Sequence, residues 1–205
     1  MSVCISKGNS KMGMIPSVSL PAGKTCRTDC TCQKKCYAKK LERIYKNVKE
    51  SYQNNLEILR RDPEQYWREV EAAIMTSRFF RFHVSGDIPD DAYLKKMVEV
   101  VSRNKHCEVL CFTKKYSTVN GYQYKALLGE CEPLPENLHM IFSGWNGLRM
   151  ENPFEFPEAH VRYRDGTTTA SDGAHQCCGN CTECAITDGG CWTLKNGEQV
   201  VFDEH

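Results

Sequence analysis

The chain has 205 residues with 27 Lys or Arg against 26 Asp or Glu, a formal net charge of +1. So even a balance supplies no global field to recruit an anionic partner, which counts against nucleic acid and against a charged membrane surface. No stretch approaches the roughly 18 apolar residues of a membrane-spanning helix, and the start, MSVCISKGNSKMGMIPSVSL, lacks the apolar core of an export signal. The expected location is therefore the cytosol.

In chain order, residues 14–20 (MIPSVSL) read as a first strand running into the Pro-Gly turn PAGKTC. From Lys39 to Arg61 the apolar residues Leu41, Ile44, Val48, Tyr52, Leu56 and Leu59 fall at helical spacing, predicting one helix. Asp62 suits an N-cap and Pro63 a first helical position, so a second helix starts there and turns Tyr66, Trp67, Val70 and Ile74 inward. RFFRFHVSGD (78–87) reads as a buried strand ending in a loop, and 88–104 as another helix. CEVLCFTKK (107–115), NLHMIFSGW (137–145) and AHVRYR (159–164) read as further strands, with a weaker helix over 122–129.

Strands alternating with helices imply right-handed crossovers and a largely parallel sheet. A closed βα barrel takes about 250 residues. The expectation is therefore an α/β, TIM-barrel-like fold: one domain over 1–205, a minimal or incomplete barrel, with a cysteine-rich segment at 175–205 folding back onto it. Ligand sites in such folds gather beyond the C-terminal ends of the strands. Here those ends are PAGKTC, SGD, TKK and SGW, and the cysteine-rich loops are expected on that face.

Thirteen cysteines is a high and odd number. In a reducing compartment clustered thiols bind metal more often than they form disulfides. CCGNCTECAITDGGCW (177–192) places Cys178, Cys181 and Cys184 in a C-x2-C-x2-C run, with Cys191 following. Three closely spaced cysteines with a more distant fourth is how bacterial ferredoxins present ligands to a 4Fe–4S cluster. Zinc sites favour two C-x2-C pairs separated by a longer hairpin, which makes zinc the alternative. Upstream, CRTDCTCQKKCYA (26–38) offers Cys26, Cys30, Cys32 and Cys36. This loop is distantly similar to the cluster loop of radical S-adenosylmethionine enzymes, but it departs from their C-x3-C-x2-C pattern. One cluster shared between the groups and two separate clusters both fit the spacing. Cys107 and Cys111, beside Val109, Leu110 and Phe112, read as core residues.

Other residues near these loops have two readings each. Asp87 is either a carboxylate that orients a ligand or moves a proton, or a cap on the helix near Pro89. Lys114 and Lys115 either bind an anionic ligand or are solvated, the favoured reading; His83 is a metal ligand or, as favoured, a hydrogen-bonded core histidine; and His175 is a ligand or, as favoured, a surface residue. Trp145 either walls a pocket or covers the rim of the fold. No phosphate-binding glycine loop and no Ser-His-Asp arrangement occurs.

Four stretches carry a resemblance: GNSKMG with IPSVSLPAGKTC (8–26), the C-x3-CYA at Cys32–Ala38, FHVSGD (82–87), and the ending from Cys181 to His205. Together they resemble small phage and mobile-element proteins of the mycobacteriophage gene-product-eighty-eight type. The resemblance implies an iron–sulfur protein with a barrel-like α/β fold. It implies ligands at Cys26, Cys32, Cys36, Cys181, Cys184 and Cys191, with Cys177 or Cys178 as the earlier C-terminal member, and Cys30 as an addition. Electron transfer with a redox partner, or redox chemistry on a small substrate, is the expected role; a zinc-binding structural or interaction protein is the alternative, and a radical S-adenosylmethionine-like enzyme a further one.

Overall fold

Alternation along the central strands sorts side chains onto two faces, and the architecture follows from that sorting. The structure, a computed structural model, describes residues 1–204. His205, the last residue of the resembling ending, lies outside the described residues. The strands are β1 (Ile5–Ser6), β2 (Ser17–Val18), β3 (Phe79–Phe82), β4 (Glu108–Thr113), β5 (Leu138–Ser143), β6 (Glu158–Arg162), β7 (His175–Gln176) and β8 (Gln199–Asp203). They form one sheet in the order β1-β2-β3-β4-β5-β6-β8-β7. β1 is antiparallel to β2, and every other pairing is parallel.

The sheet does not close. Its outer strands, β1 and β7, pair only inward, and each is two residues long. Such short strands offer too few ladder hydrogen bonds to form a seam. A closed barrel is thus not formed; the strands and helices build a mixed α/β fold on an open eight-stranded sheet.

On one face, Phe80, Phe82, Val109, Cys111, Leu138, Met140 and Phe142 form the larger core. It is covered by α2 (Lys46–Arg61), α3 (Pro63–Met75), α4 (Asp91–Arg103) and α5 (Tyr116–Leu127). α3 starts as its sequence dictates: the Asp62 side chain accepts from the Gln65 N–H at 2.9 Å, and Pro63 is the first helical residue. The single helix expected over Lys39–Arg61 is two, α1 (Tyr37–Ile44) and α2, separated by extended backbone at Tyr45 (φ −112°, ψ 102°). Leu41, Ile44 and Tyr45 are exposed, so no burial favours carrying the helix through that point. α5 begins earlier than expected because Tyr116 and Val119 are themselves buried anchors.

On the opposite face, Leu110 and Ile141 pack with Met12, Ile15, Ala159 and Val200. This smaller core is capped by Ala185 of α6 (Cys181–Ile186) and Trp192 of a 3-10 turn (Gly190–Trp192). The Trp192 ring meets Phe79 edge-on at 5.0 Å between centroids and His139 at 6.0 Å. No helix among the described residues is long and apolar enough to cross a membrane.

Candidate metal centre

The first cysteine group sits beyond the C-terminal ends of β3 and β4, beside the buried Asp87. Asp87 accepts from the Thr113 hydroxyl at 2.6 Å, the Lys114 N–H at 2.9 Å and the Ile88 N–H at 2.8 Å. Its own N–H donates to Thr25 Oγ1 at 3.0 Å, which fixes the turn leading to Cys26. Gly86 permits this approach: at φ +80°, a Cβ there would stand 2.7 Å from the Leu20 carbonyl oxygen. Burial pushes the Asp87 carboxyl above its usual range. The capping reading of Asp87 is corrected. α4 is capped by Asp90, whose side chain accepts from the Tyr93 N–H at 2.8 Å, and Asp87 instead ties the strand ends to the cysteine loop.

In that loop a 3-10 turn, Thr31–Lys35, begins at Cys30, whose sulfur accepts from the Cys32 N–H at 3.4 Å. The interaction with Cys32 brings the Cys30 thiol down to about 6 and pushes Cys32 up; Lys114 and Arg27 further favour the Cys30 thiolate. Burial raises Cys26, which lies within electrostatic reach of Asp87, Cys36 and Lys114. Cys36 is the residue from which α1 starts. Cys30, taken from sequence as an addition, is buried among its neighbours and joins the group. Lys114, read as solvated, is held instead: its Nζ donates to Ser143 Oγ at 2.6 Å, and its charge faces Cys26, Cys30 and Cys32.

The second group lies against the sheet face, not over the strand ends where it was expected. Ala185 and Trp192 are buried there with Leu110 and Ile141, and they carry the flanking cysteines with them. The Cys177 N–H donates to the Val201 carbonyl at 2.9 Å, and the Cys181 N–H to the Lys11 carbonyl at 3.0 Å. Cys178 and Cys184 place their sulfurs 3.3 Å apart. The Asn180 N–H, then the Cys184 thiol, favour the Cys178 thiolate and lower it, whereas burial raises Cys184 to about 12. Burial likewise raises Cys181, and takes Cys191 to about 12; in both, Arg81 pulls the other way. Gly190 lets the chain turn here: at φ +58°, a Cβ would fall 2.6 Å from the Cys184 sulfur.

Arg81 is the residue that sequence reasoning missed. It occupies the middle of β3 on the cysteine side, with its guanidinium 4.8 Å from the centre of the Phe112 ring. Its Nε is buried with no hydrogen-bond partner among the described residues. The available signal was one Arg between phenylalanines in FFRF, an unusual placement in a buried strand. Tyr37 donates its hydroxyl to the Val84 carbonyl at 2.6 Å, within electrostatic reach of Arg81, Cys26 and Cys36.

The structure thus brings Cys26, Cys30, Cys32 and Cys36 together, and separately Cys177, Cys178, Cys181, Cys184 and Cys191. Clustered soft thiolates beside a cation are a donor set suited to iron–sulfur clusters or zinc. Among the described residues no three His, Cys, Asp or Glu side chains converge tightly enough to hold a single metal ion. Cys107 and Cys111 are fully buried in the helix-side core, as read from sequence. His83 is buried with its Nε2 3.0 Å from the Tyr93 hydroxyl, and His175 is exposed in β7.

Comparison with known proteins places these features in a lineage. The Gene 88 protein of Mycobacterium phage L5 is 30% identical over 122 residues, 52% of this chain and 51% of that protein. The chain therefore spans about half the length of the curated relative it matches. No solved structure matches. A family model described as Gene product 88 matches residues 4–186, taking in both cysteine groups except Cys191. With most of its length covered by that match, the chain belongs to the Gene product 88 family.

Proposed function

We propose that this phage-family protein binds a 4Fe–4S cluster through its C-terminal thiols and serves in electron transfer or in redox chemistry on a small substrate. The observation that carries this reading is the gathering of five thiols on one sheet face beside Arg81. A bound cluster supplies one-electron chemistry at a potential set by charge, burial and hydrogen bonds to sulfur. Cys178, Cys181, Cys184 and Cys191 are the ligands, with Cys177 adjacent. Arg81 offsets thiolate charge, and Ala185 and Trp192 keep water from one side.

The upstream thiols Cys26, Cys32 and Cys36, with Cys30, form a second ligand group whose charge is offset by Lys114. That group holds a second cluster or contributes to the first. Its place beyond the strand ends matches where parallel sheets bind substrates, and on this reading the open sheet is an incomplete βα barrel working in the host cytosol.

Zinc is the second reading, and one distance favours it. Two sulfurs on one tetrahedral zinc, each at about 2.3 Å, stand about 3.8 Å apart. Ligands on separate corners of a four-iron cube stand farther apart than that. The Cys178–Cys184 separation of 3.3 Å is nearer the zinc arrangement.

Purification without oxygen separates the two. Iron–sulfur binding gives a brown protein with broad absorption near ~400 nm and about four irons with four labile sulfides per cluster. A colourless protein with stoichiometric zinc replaces the first reading with the second. Material holding neither iron, sulfide nor zinc removes both.

A further inference from the structure

An open trough lies between the first cysteine loop and the ends of β5, β6 and β8. It encloses about 1280 Å³. One wall carries Lys34 and Lys35 from the 3-10 turn and Lys39, Lys40 and Arg43 from α1, and Arg164 adds a sixth cation. The lining also includes Trp145 and Tyr163, whose rings meet edge-on at 5.5 Å.

Two acids line the trough, and both are engaged. Asp165 accepts from the Thr167 N–H at 3.0 Å and hydroxyl at 2.7 Å. Glu204 accepts from Lys35 Nζ at 2.9 Å and from the Arg164 N–H at 3.2 Å. Lys34, Lys40 and Arg43 are exposed. The near-zero charge of the whole chain averages this stripe with acidic surface elsewhere, so net charge alone does not describe the trough.

Lys35 Nζ already lies 5.6 Å from the centre of the Tyr163 ring, so Trp145 is the ring left for a ligand, and cations beside it match one that alternates phosphates with flat rings. Size decides between the forms of that ligand. Small-molecule sites occupy roughly 300–1,000 Å³, and this trough is larger and open. We propose that the trough binds a short single strand of nucleic acid, with phosphates on the α1 lysines and a base against Trp145.

The test is fluorescence anisotropy of a labelled oligothymidylate of about twelve nucleotides, within the range one stacking groove covers. The full 205-residue chain is used, in oxygen-free, low-salt buffer. Binding is expected to weaken with salt at a log–log slope of about −2 to −3, as for three or four phosphate contacts on a single strand. The combined Lys34→Glu, Lys40→Glu and Arg43→Glu variant is expected to bind at least tenfold more weakly. An equally charged control, Lys46→Glu, Lys49→Glu and Lys105→Glu, alters exposed residues outside the trough and is expected to bind nearly as wild type. Trp145→Ala is expected to lose about tenfold with the salt slope unchanged.

Three results overturn the proposal: no binding at low salt, equal weakening in the control variant, or equally tight binding of ATP alone, which makes the trough a mononucleotide site. Iron content, measured on the same preparations, keeps this result separate from the fate of the cluster reading.

Discussion

The sulfurs of Cys178 and Cys184 stand 3.3 Å apart, across the turn that leads into α6. Neither is in the core: Cys178 is exposed and Cys184 half-buried, unlike Cys107, which is fully buried. Apolar packing explains Cys107 but not a pair of sulfurs held at the surface by Asn180 and Gly190. Cys184→Ala is therefore expected to reduce bound metal to a small fraction of the wild-type content. Cys107→Ala is expected to keep the metal and to cost about 1 kcal/mol of stability. Elemental analysis of oxygen-free preparations reads both, and equal metal in the two variants sinks the ligand assignment.

Asp87 holds three donors with one carboxylate, so its role is testable as architecture before chemistry. Asp87→Ala leaves the Thr113 hydroxyl and two N–H groups without their acceptor in a buried place. The expected cost is about 3 kcal/mol in urea unfolding. Asp87→Asn keeps one oxygen acceptor and should lose about half as much. The turn leading to Cys26 is bonded to the Asp87 backbone N–H, which both variants keep, so metal at the upstream thiols should change far less than stability. Unchanged stability in both variants contradicts the anchoring role.

The sheet's central strands were legible because their residues alternate between two buried faces: Phe80 and Phe82 to the helices, Phe79 toward Trp192. The caps were legible where chemistry is local, as at Asp62–Pro63. Both cysteine groups were visible as spacing, but their positions were not. Spacing says which thiols can share a centre, while the side of the sheet they reach is set by distant apolar contacts of Ala185 and Trp192. Arg81 escaped notice, and Lys114 was seen only as half of a lysine pair, for the same reason: the meaning of each comes from thiols more than fifty residues away. β8 was missed because its five residues follow directly on the cysteine-rich tail, which drew the reading toward ligands rather than strand pairing.

Trp192 is the device that fixes the tail to the sheet. It is 5% exposed, with Phe79 and His139 on its ring. Trp192→Ala is expected to cost about 3–5 kcal/mol, the range for removing a large buried aromatic, and Trp192→Phe far less. The informative measurement is alkylation of the metal-free protein: releasing the tail should speed iodoacetamide labelling of Cys191 while leaving Cys111 protected. Equal labelling of Cys191 in wild type and Trp192→Ala means that the tail is held by something else.

His83 supplies the pH dependence. Its Nε2 faces the Tyr93 hydroxyl at 3.0 Å, which in turn contacts the Tyr66 hydroxyl at 2.9 Å, all in the buried core. Burial disfavours the imidazolium and brings the His83 value from 6.5 down to about 3. Between those limits the unfolded chain takes up a proton that the folded chain refuses, so stability falls as pH drops through the window. The slope approaches about 1.4 kcal/mol per pH unit. Asp87 moves oppositely, because its raised carboxyl takes a proton earlier in the folded state. The useful quantity is therefore the difference between wild type and His83→Gln. Glutamine keeps a partner for Tyr93 and experiences the same positive φ of 60°. From pH 7 to pH 5 the balance should shift by about 2 kcal/mol in favour of the glutamine variant, read by urea unfolding at each pH. A difference that stays constant across that range shows that His83 gains its proton as readily in the folded chain as in the unfolded one.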